Sequence, residues 1–335
     1  MSNNFAATTR RQQVRILTRI AHDLVAQYPI KPRSVELRNF GFNATFRVTA
    51  SRGRQYGLRI NVNSARSRAN LLAEVSWLEA IAKETSVIAP RPIRNREAQP
   101  TTSTTAAGRN FDSVMYAWLD GRTVGDRFGR PTAVQLGAAM ARLHQQSLHL
   151  RLPRSAKFPE LTSFFWNQPD RIHGSASPLN NVQLRVIDRV INDVSPMLMR
   201  ALDADRRRPI HSDLHAGNLL RHDGRLAVID FDDSGIGVPV QDVGVAAFYE
   251  DARPAFLDSL FEGYQQVRAL PDVSDDLIHA LMAHRNLVLL NDLLGSQTAD
   301  MRDMIPKYIR RTITRLRHYR DTGRFKLDLP GLEPL

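Results

Sequence analysis

Between His211 and Asp230 the chain reads HSDLHAGNLLRHDGRLAVID, and no other stretch narrows the possible folds as much. Asn218 follows Asp213 by five positions, and the apolar run Leu226-Ala227-Val228-Ile229 leads straight into Asp230. This pattern predicts a loop bearing one carboxylate and one amide, then a strand that delivers a second carboxylate. Phosphoryl transfer requires such a set. A carboxylate orients or deprotonates the attacking hydroxyl, and hard oxygen ligands hold Mg2+ against the phosphates. Asp213 suits the first role; Asn218 and Asp230 suit the second. Turn capping accounts for each residue singly, but not for their joint spacing.

With 335 residues, 42% of them hydrophobic, the chain can bury one large core or two modest ones. It has no cysteine, which excludes disulfides, thiolate zinc sites and cysteine nucleophiles. The expected location is the reducing cytoplasm. The start, MSNNFAATTRRQQVRILTRI, lacks the apolar stretch of a secretory leader, and no apolar run approaches a membrane span. The net charge of +12 is carried by arginines spread along the chain without aromatic interleaving. It therefore reads as basic solvated faces plus one anionic ligand, and not as a nucleic-acid surface.

Apolar spacing predicts a helix over 9–27, a β-hairpin turning at Ser51-Arg52-Gly53-Arg54, and a tight bend at Phe40-Gly41-Phe42-Asn43. A helix is expected over 64–83, and strands over 91–96 and 111–119, separated by the polar, exposed loop QPTTSTTAAGRN. Beyond Gly121 the periodicity turns helical, at 132–146, 182–202, 254–266, 276–294 and 304–319. Of these, 276–294 is apolar nearly all round, as a buried helix is. The fold class is α+β, with two lobes: an antiparallel-sheet lobe over 1–118 and a mainly helical lobe over 119–335.

HSDLHAGN, VIDFDD and VPVQD resemble the aminoglycoside phosphotransferase and choline kinase-like family, which shares the protein-kinase fold, with some likeness to bacterial stress-response kinases. GFNATFRVTASRGRQYGLRI resembles that family's nucleotide loop and the strands after it. The resemblance implies ATP (or GTP) and Mg2+ as cofactors. It places Gly41, Asn43 and Met115 near the nucleotide, and pairs Arg59, where the family has lysine, with Glu74. Glu74 falls inside the apolar stripe of its helix, and an inward carboxylate needs a partner. The resemblance also gives His211 a structural role, puts His215 near the γ-phosphate, and has Asp242 bonding the catalytic-loop backbone. Asp233 reads as a turn residue, and the role of Asp232 is open. Ser212 stands where the small-molecule branch commonly has glycine.

Only a short span separates Asp230 from Asp242, too short for a peptide-docking activation segment. A small hydroxylated acceptor is therefore expected, bound near 161–205 and 255–294, with Trp166, Phe164, Phe165 and Tyr264 as candidate walls. The overall charge weighs mildly against a polycationic acceptor. A Ser/Thr protein kinase of the stress-response type and a nucleotide-binding pseudokinase are the alternatives.

Overall fold

The computed structural model describes residues 5–64, 66–250, 252–253 and 255–332. The first helix, α1 (Arg10–Val25), starts where Thr9 and Gln12 cap each other reciprocally, and it buries Leu17, Ile20 and Leu24. Strands β1 (Pro32–Phe40), β2 (Ala44–Ala50) and β3 (Gln55–Ile60) follow as an antiparallel meander. Helix α2 (Arg68–Glu84) comes next, capped by Ser67, and then β4 (Pro92–Ile93), β5 (Thr101–Ala106) and β6 (Arg109–Ala117). Strand order is β1-β2-β3-β6-β4, with β5 also paired to β6. Alternation gives this sheet two distinct faces. Phe46, Val48, Leu58, Ile60, Phe111 and Met115 pack under α1, while Thr45, Gly57, Arg59 and Tyr116 face a cleft.

The polar loop expected at 99–110 is instead a β-hairpin. Ala107 and Gly108 both have positive φ (48° and 75°), the backbone a two-residue hairpin turn needs. Threonine is a good strand former despite its hydroxyl. Thr102 is buried with its Oγ1 2.6 Å from Ser113 Oγ, so the polar run pairs inward. The strand expected over 91–96 shrinks to β4.

After β6 come β7 (Arg122–Thr123), α3 (Arg130–Ser147), α4 (Asn181–Ala204), β8 (Arg208–Ile210), β9 (Leu219–His222), β10 (Arg225–Val228), β11 (Gly235–Gly237) and α5 (Pro239–Glu250). Helices α6 (Phe256–Gln265), α7 (Asp275–Leu294) and α8 (Ala299–Thr322) complete the chain. The expected start of α6, Pro254, lies outside the described residues. Helix α5 was not anticipated: it is buried almost throughout, its polar Gln241, Asp242 and Glu250 included, so it shows no amphipathic period.

Helices α3 and α6 touch backbone to backbone. A Cβ on Gly137 would stand 1.9 Å from Leu260 O, and one on Gly263 would stand 1.8 Å from Val134 O. This contact sets the helical core behind the loop at 211–218. The link between α7 and α8 returns to the sheet: Gln297 N–H donates to Asn63 Oδ1 (2.6 Å) and Ala299 N–H to Gln13 Oε1 (3.0 Å), while Met301 lies beside Gly41. Among the described residues, no helix is long and apolar enough to cross a membrane.

Candidate active site

Strand β8 ends at Ile210, and the loop after it is pinned from behind by Asp242 on α5. One Asp242 oxygen accepts from Ser212 N–H (2.6 Å), and the other accepts from His211 N–H (3.1 Å) and His144 Nε2 (2.8 Å). Burial alone would push the Asp242 carboxyl up, but His144 and His211 hold it below its ordinary value. His211 packs on Phe231, accepts Asp213 N–H at Nδ1 (3.3 Å) and reaches Ile229 O with Nε2 (3.2 Å). That pattern fixes one neutral tautomer, and burial lowers the ring's pKa accordingly. Ser212 pays for its place with a left-handed backbone (φ 65°), which is what a glycine would adopt freely.

The pinned loop presents Asp213 to a cleft of about 760 Å3 between the sheet and the helices. Asn218 Nδ2 donates to Asp213 Oδ2 (2.7 Å) and to its carbonyl (2.9 Å). Arg285, a buried α7 residue, donates to Asp213 Oδ1 (2.7 Å) and to Asp233 (3.2 Å). Burial would raise the Asp213 carboxyl, but Arg285 and then His215 hold it well below the usual carboxylate range. His215 stacks on Tyr249 at 4.1 Å, takes Gly217 N–H at Nδ1 (3.1 Å) and sets Nε2 3.6 Å from Asp213 Oδ2.

Strand β10 leads into Asp230, which also lines the cleft and has φ 63°. Its side chain is open to the cleft; partial desolvation there, and then the charges of Asp232, Asp213 and Asp233, push its carboxyl up against the opposing pull of Arg59. Such a crowd of carboxylates suits a cation. Asn218, with its amide nitrogen committed to Asp213, keeps Oδ1 as an oxygen donor on the same wall. No group of three or more acidic or histidine residues forms a self-sufficient metal cage among the described residues.

Across the cleft, Arg59 and Glu74 form a buried two-pronged pair, Nη1–Oε1 2.9 Å and Nη2–Oε2 2.6 Å, and Tyr116 Oη donates to Glu74 (2.6 Å). Asp232 joins Arg59 at 3.3 Å and accepts from Asn43 Nδ2 (2.7 Å). Asn43 is therefore on the cleft wall, with its oxygen held by Val62 N–H (3.1 Å). Met115 and Gly41 are not on that wall. Met115 points into the core beneath α1, and its neighbours Tyr116, Ala117 and Trp118 line the cleft instead. Of the suggested aromatic walls, Tyr264 is buried against His144, and Phe164 and Trp166 pack on His284. Residues that the sequence reading missed include Arg285, Asp292, Tyr249, Trp118 and Tyr308, all lining the cleft.

The model of the phosphotransferase enzyme family matches residues 35–275. The chain belongs to that family. No curated protein matches it. This phosphotransferase has a protein-kinase-like fold, similar to an amicoumacin kinase solved with AMP-PNP, Ca2+ and its antibiotic (19% identity, 92% of this chain and 96% of that one, TM-score 0.70). A microcompartment-associated aminopropanol kinase is equally similar (21% identity, 92% and 99% coverage, TM-score 0.70). A spectinomycin phosphotransferase with ADP and spectinomycin matches at 15% identity, 87% and 93% coverage and TM-score 0.55. At these identities the likeness is one of fold.

Proposed function

We propose that this phosphotransferase moves the γ-phosphate of ATP, with Mg2+, to a hydroxyl of a small acceptor that also carries an amine. The observation that carries this reading is Asp213, held in an open cleft with further carboxylates, Asp233 and Asp292, beside it. Residues 1–118 would serve as the nucleotide lobe and 119–335 as the acceptor lobe, in a protein expected in the cytoplasm.

Asp213 accepts the hydroxyl proton or orients the hydroxyl for attack, in line with the phosphate. Arg59, anchored by Glu74, supplies a fixed cation to the phosphates. Asn218 and Asp230 are the residues that would hold Mg2+, which when bound neutralises the charge between β- and γ-phosphates. His215, stacked on Tyr249, offers an N–H beside the transferred group.

The pocket's charge favours the amine. Burial, and then Asp233, push the Asp292 carboxyl up to about 7 against the opposing pull of Arg285, Arg171 and Arg66. A neighbouring ammonium would restore its ionised form. Leu289, Leu293, Met301 and Met304 add an apolar wall. The net +12 of the whole chain is thus a poor guide to the cleft. By their names, two of the similar solved proteins act on aminopropanol and amicoumacin. The span between Asp230 and Asp242 holds only a short turn, β11 and the start of α5, which leaves no segment for a protein acceptor to dock on.

The test is ADP release from Mg2+ and ATP across a panel of amino alcohols and their deaminated counterparts. Transfer is expected only to the amines. The Asp292→Asn variant should raise the acceptor KM roughly tenfold and leave that for ATP unchanged. Equal transfer to deaminated alcohols, or preferred transfer to protein hydroxyls, would overturn the reading.

A further inference from the structure

Arg285 lies within α7 among Met282, Ala283, Leu287 and Val288, and is one of the largest fully buried side chains in the molecule. Burying a guanidinium is costly unless partners compensate. Here its Nη2 donates to Asp213 Oδ1 (2.7 Å) and Asp233 Oδ2 (3.2 Å), and its carbon stands 4.9 Å from the centre of the Trp166 ring. Trp166 holds that position with φ 51°, a left-handed backbone that a bulky residue rarely adopts. A strained aromatic over a buried cation is an arrangement that the surrounding structure has to enforce.

The effect falls on the Asp213 carboxylate. Oδ1 is fixed by Arg285 and Oδ2 by Asn218, each through one hydrogen bond. Each oxygen keeps a free lone-pair direction for an incoming hydroxyl. Within the loop the anchor is Asn218, since the His215 ring is 3.6 Å away, beyond hydrogen-bond range, and held in its stack on Tyr249. The plane of the carboxylate is therefore set jointly, by Asn218 within the loop and by Arg285 on α7, 72 positions further along the chain.

We propose that Arg285 is a positioning residue of the transfer reaction, fixing Oδ1 of the Asp213 carboxylate so that it faces the acceptor hydroxyl, and that it governs turnover and not nucleotide binding. This rests on the reading of Asp213 as the carboxylate that handles the acceptor hydroxyl. Orientation alone is worth large factors in rate, with a displacement near 1 Å costing about a hundredfold. The guanidinium reaches Asp213 and Asp233 through Nη2 while its plane rests near the Trp166 ring, a fixed placement that a flexible lysine ammonium does not reproduce.

The test measures kcat and KM for ATP and 1-amino-2-propanol in wild type, Arg285→Met, Arg285→Lys, Asp213→Asn and the Asp213→Asn/Arg285→Met double variant. Arg285→Met should lose about a hundredfold in kcat with KM for ATP within about threefold, and Arg285→Lys should recover part of the loss. Because Arg285 acts through Asp213, its loss should cost no more than about threefold further in the Asp213→Asn background. Should Arg285→Met fail to fold, Arg285→Lys carries the test, with kcat expected to fall about tenfold at unchanged ATP KM. Wild-type kcat in the variants, or losses that multiply in the double variant, would overturn this proposal alone. A wild type with no turnover on any acceptor would overturn it together with the functional reading.

Discussion

Arg59 and Glu74 meet through the two terminal guanidinium nitrogens, Nη1 and Nη2, and Asp232 closes on Nη2 as well. The cation is thus shared between the α2 glutamate and the segment that follows Asp230. Removing it strands two buried carboxylates. Arg59→Ala is expected to cost about 3–5 kcal/mol, read as a fall in denaturant midpoint at unchanged slope. Arg59→Lys keeps the charge and loses the fork, so it should melt closer to wild type while binding ATP more weakly.

Asp213 and Asp230 should fail differently. Asp213→Asn is expected to drop kcat by about 10²–10⁴-fold and leave nucleotide affinity intact. Asp230→Asn is expected to abolish the Mg2+-dependent part of nucleotide binding, measured by titrating a fluorescent ATP analogue with and without Mg2+. A Mg2+ effect that survives in Asp230→Asn would remove Asp230 from the metal site.

Ser212 offers a stabilising substitution. Its φ of 65° strains a residue bearing a Cβ, and its Oγ is buried without a partner. Ser212→Gly removes both defects at the cost of some extra freedom in the unfolded chain. A net gain of roughly 0.5–1 kcal/mol is expected in equilibrium unfolding, with the Asp242 contact to the loop backbone preserved.

His284 predicts an acid limb in stability. It is buried, with Nε2 2.6 Å from Phe164 O, and burial lowers its pKa to about 4 from an ordinary 6.5. Between those values the unfolded chain binds a proton that the folded one refuses. Stability is therefore full above pH 6.5 and declines as pH falls toward 4, by about 3 kcal/mol from this residue. Denaturation curves at pH 7, 6, 5 and 4 read the slope, and His284→Gln should flatten it across that window.

The meeting of Asp213, Asn218 and Asp230 on one cleft was legible because all three lie within eighteen positions. Glu74 was readable as a charge within an apolar stripe. The same clue existed for Arg285 in HALMAHRNLVLL, but its partners lie 72 and 52 positions away, and nothing in periodicity specifies them. Met115 missed the cleft by one residue, since a strand turns its successive side chains to opposite faces and Tyr116 took the other one. Strand β5 was hidden by its threonines, whose hydroxyls find partners inside the sheet.

The return of the α7–α8 link to Asn63 and Gln13 bears on how the cleft can move. Strand β3 is held at Gln55, where Trp118 N–H donates to its carbonyl, and again just past its other end, at Asn63. Those points lie about 20 Å or more apart along an extended strand. Any swing of the sheet about the β6 end must therefore unlatch the far end first. The cleft behaves as a box with a hinge on one side and a clasp on the other, and the residues of the clasp, Gln13, Asn63 and Gln297, touch neither Asp213 nor Asp230.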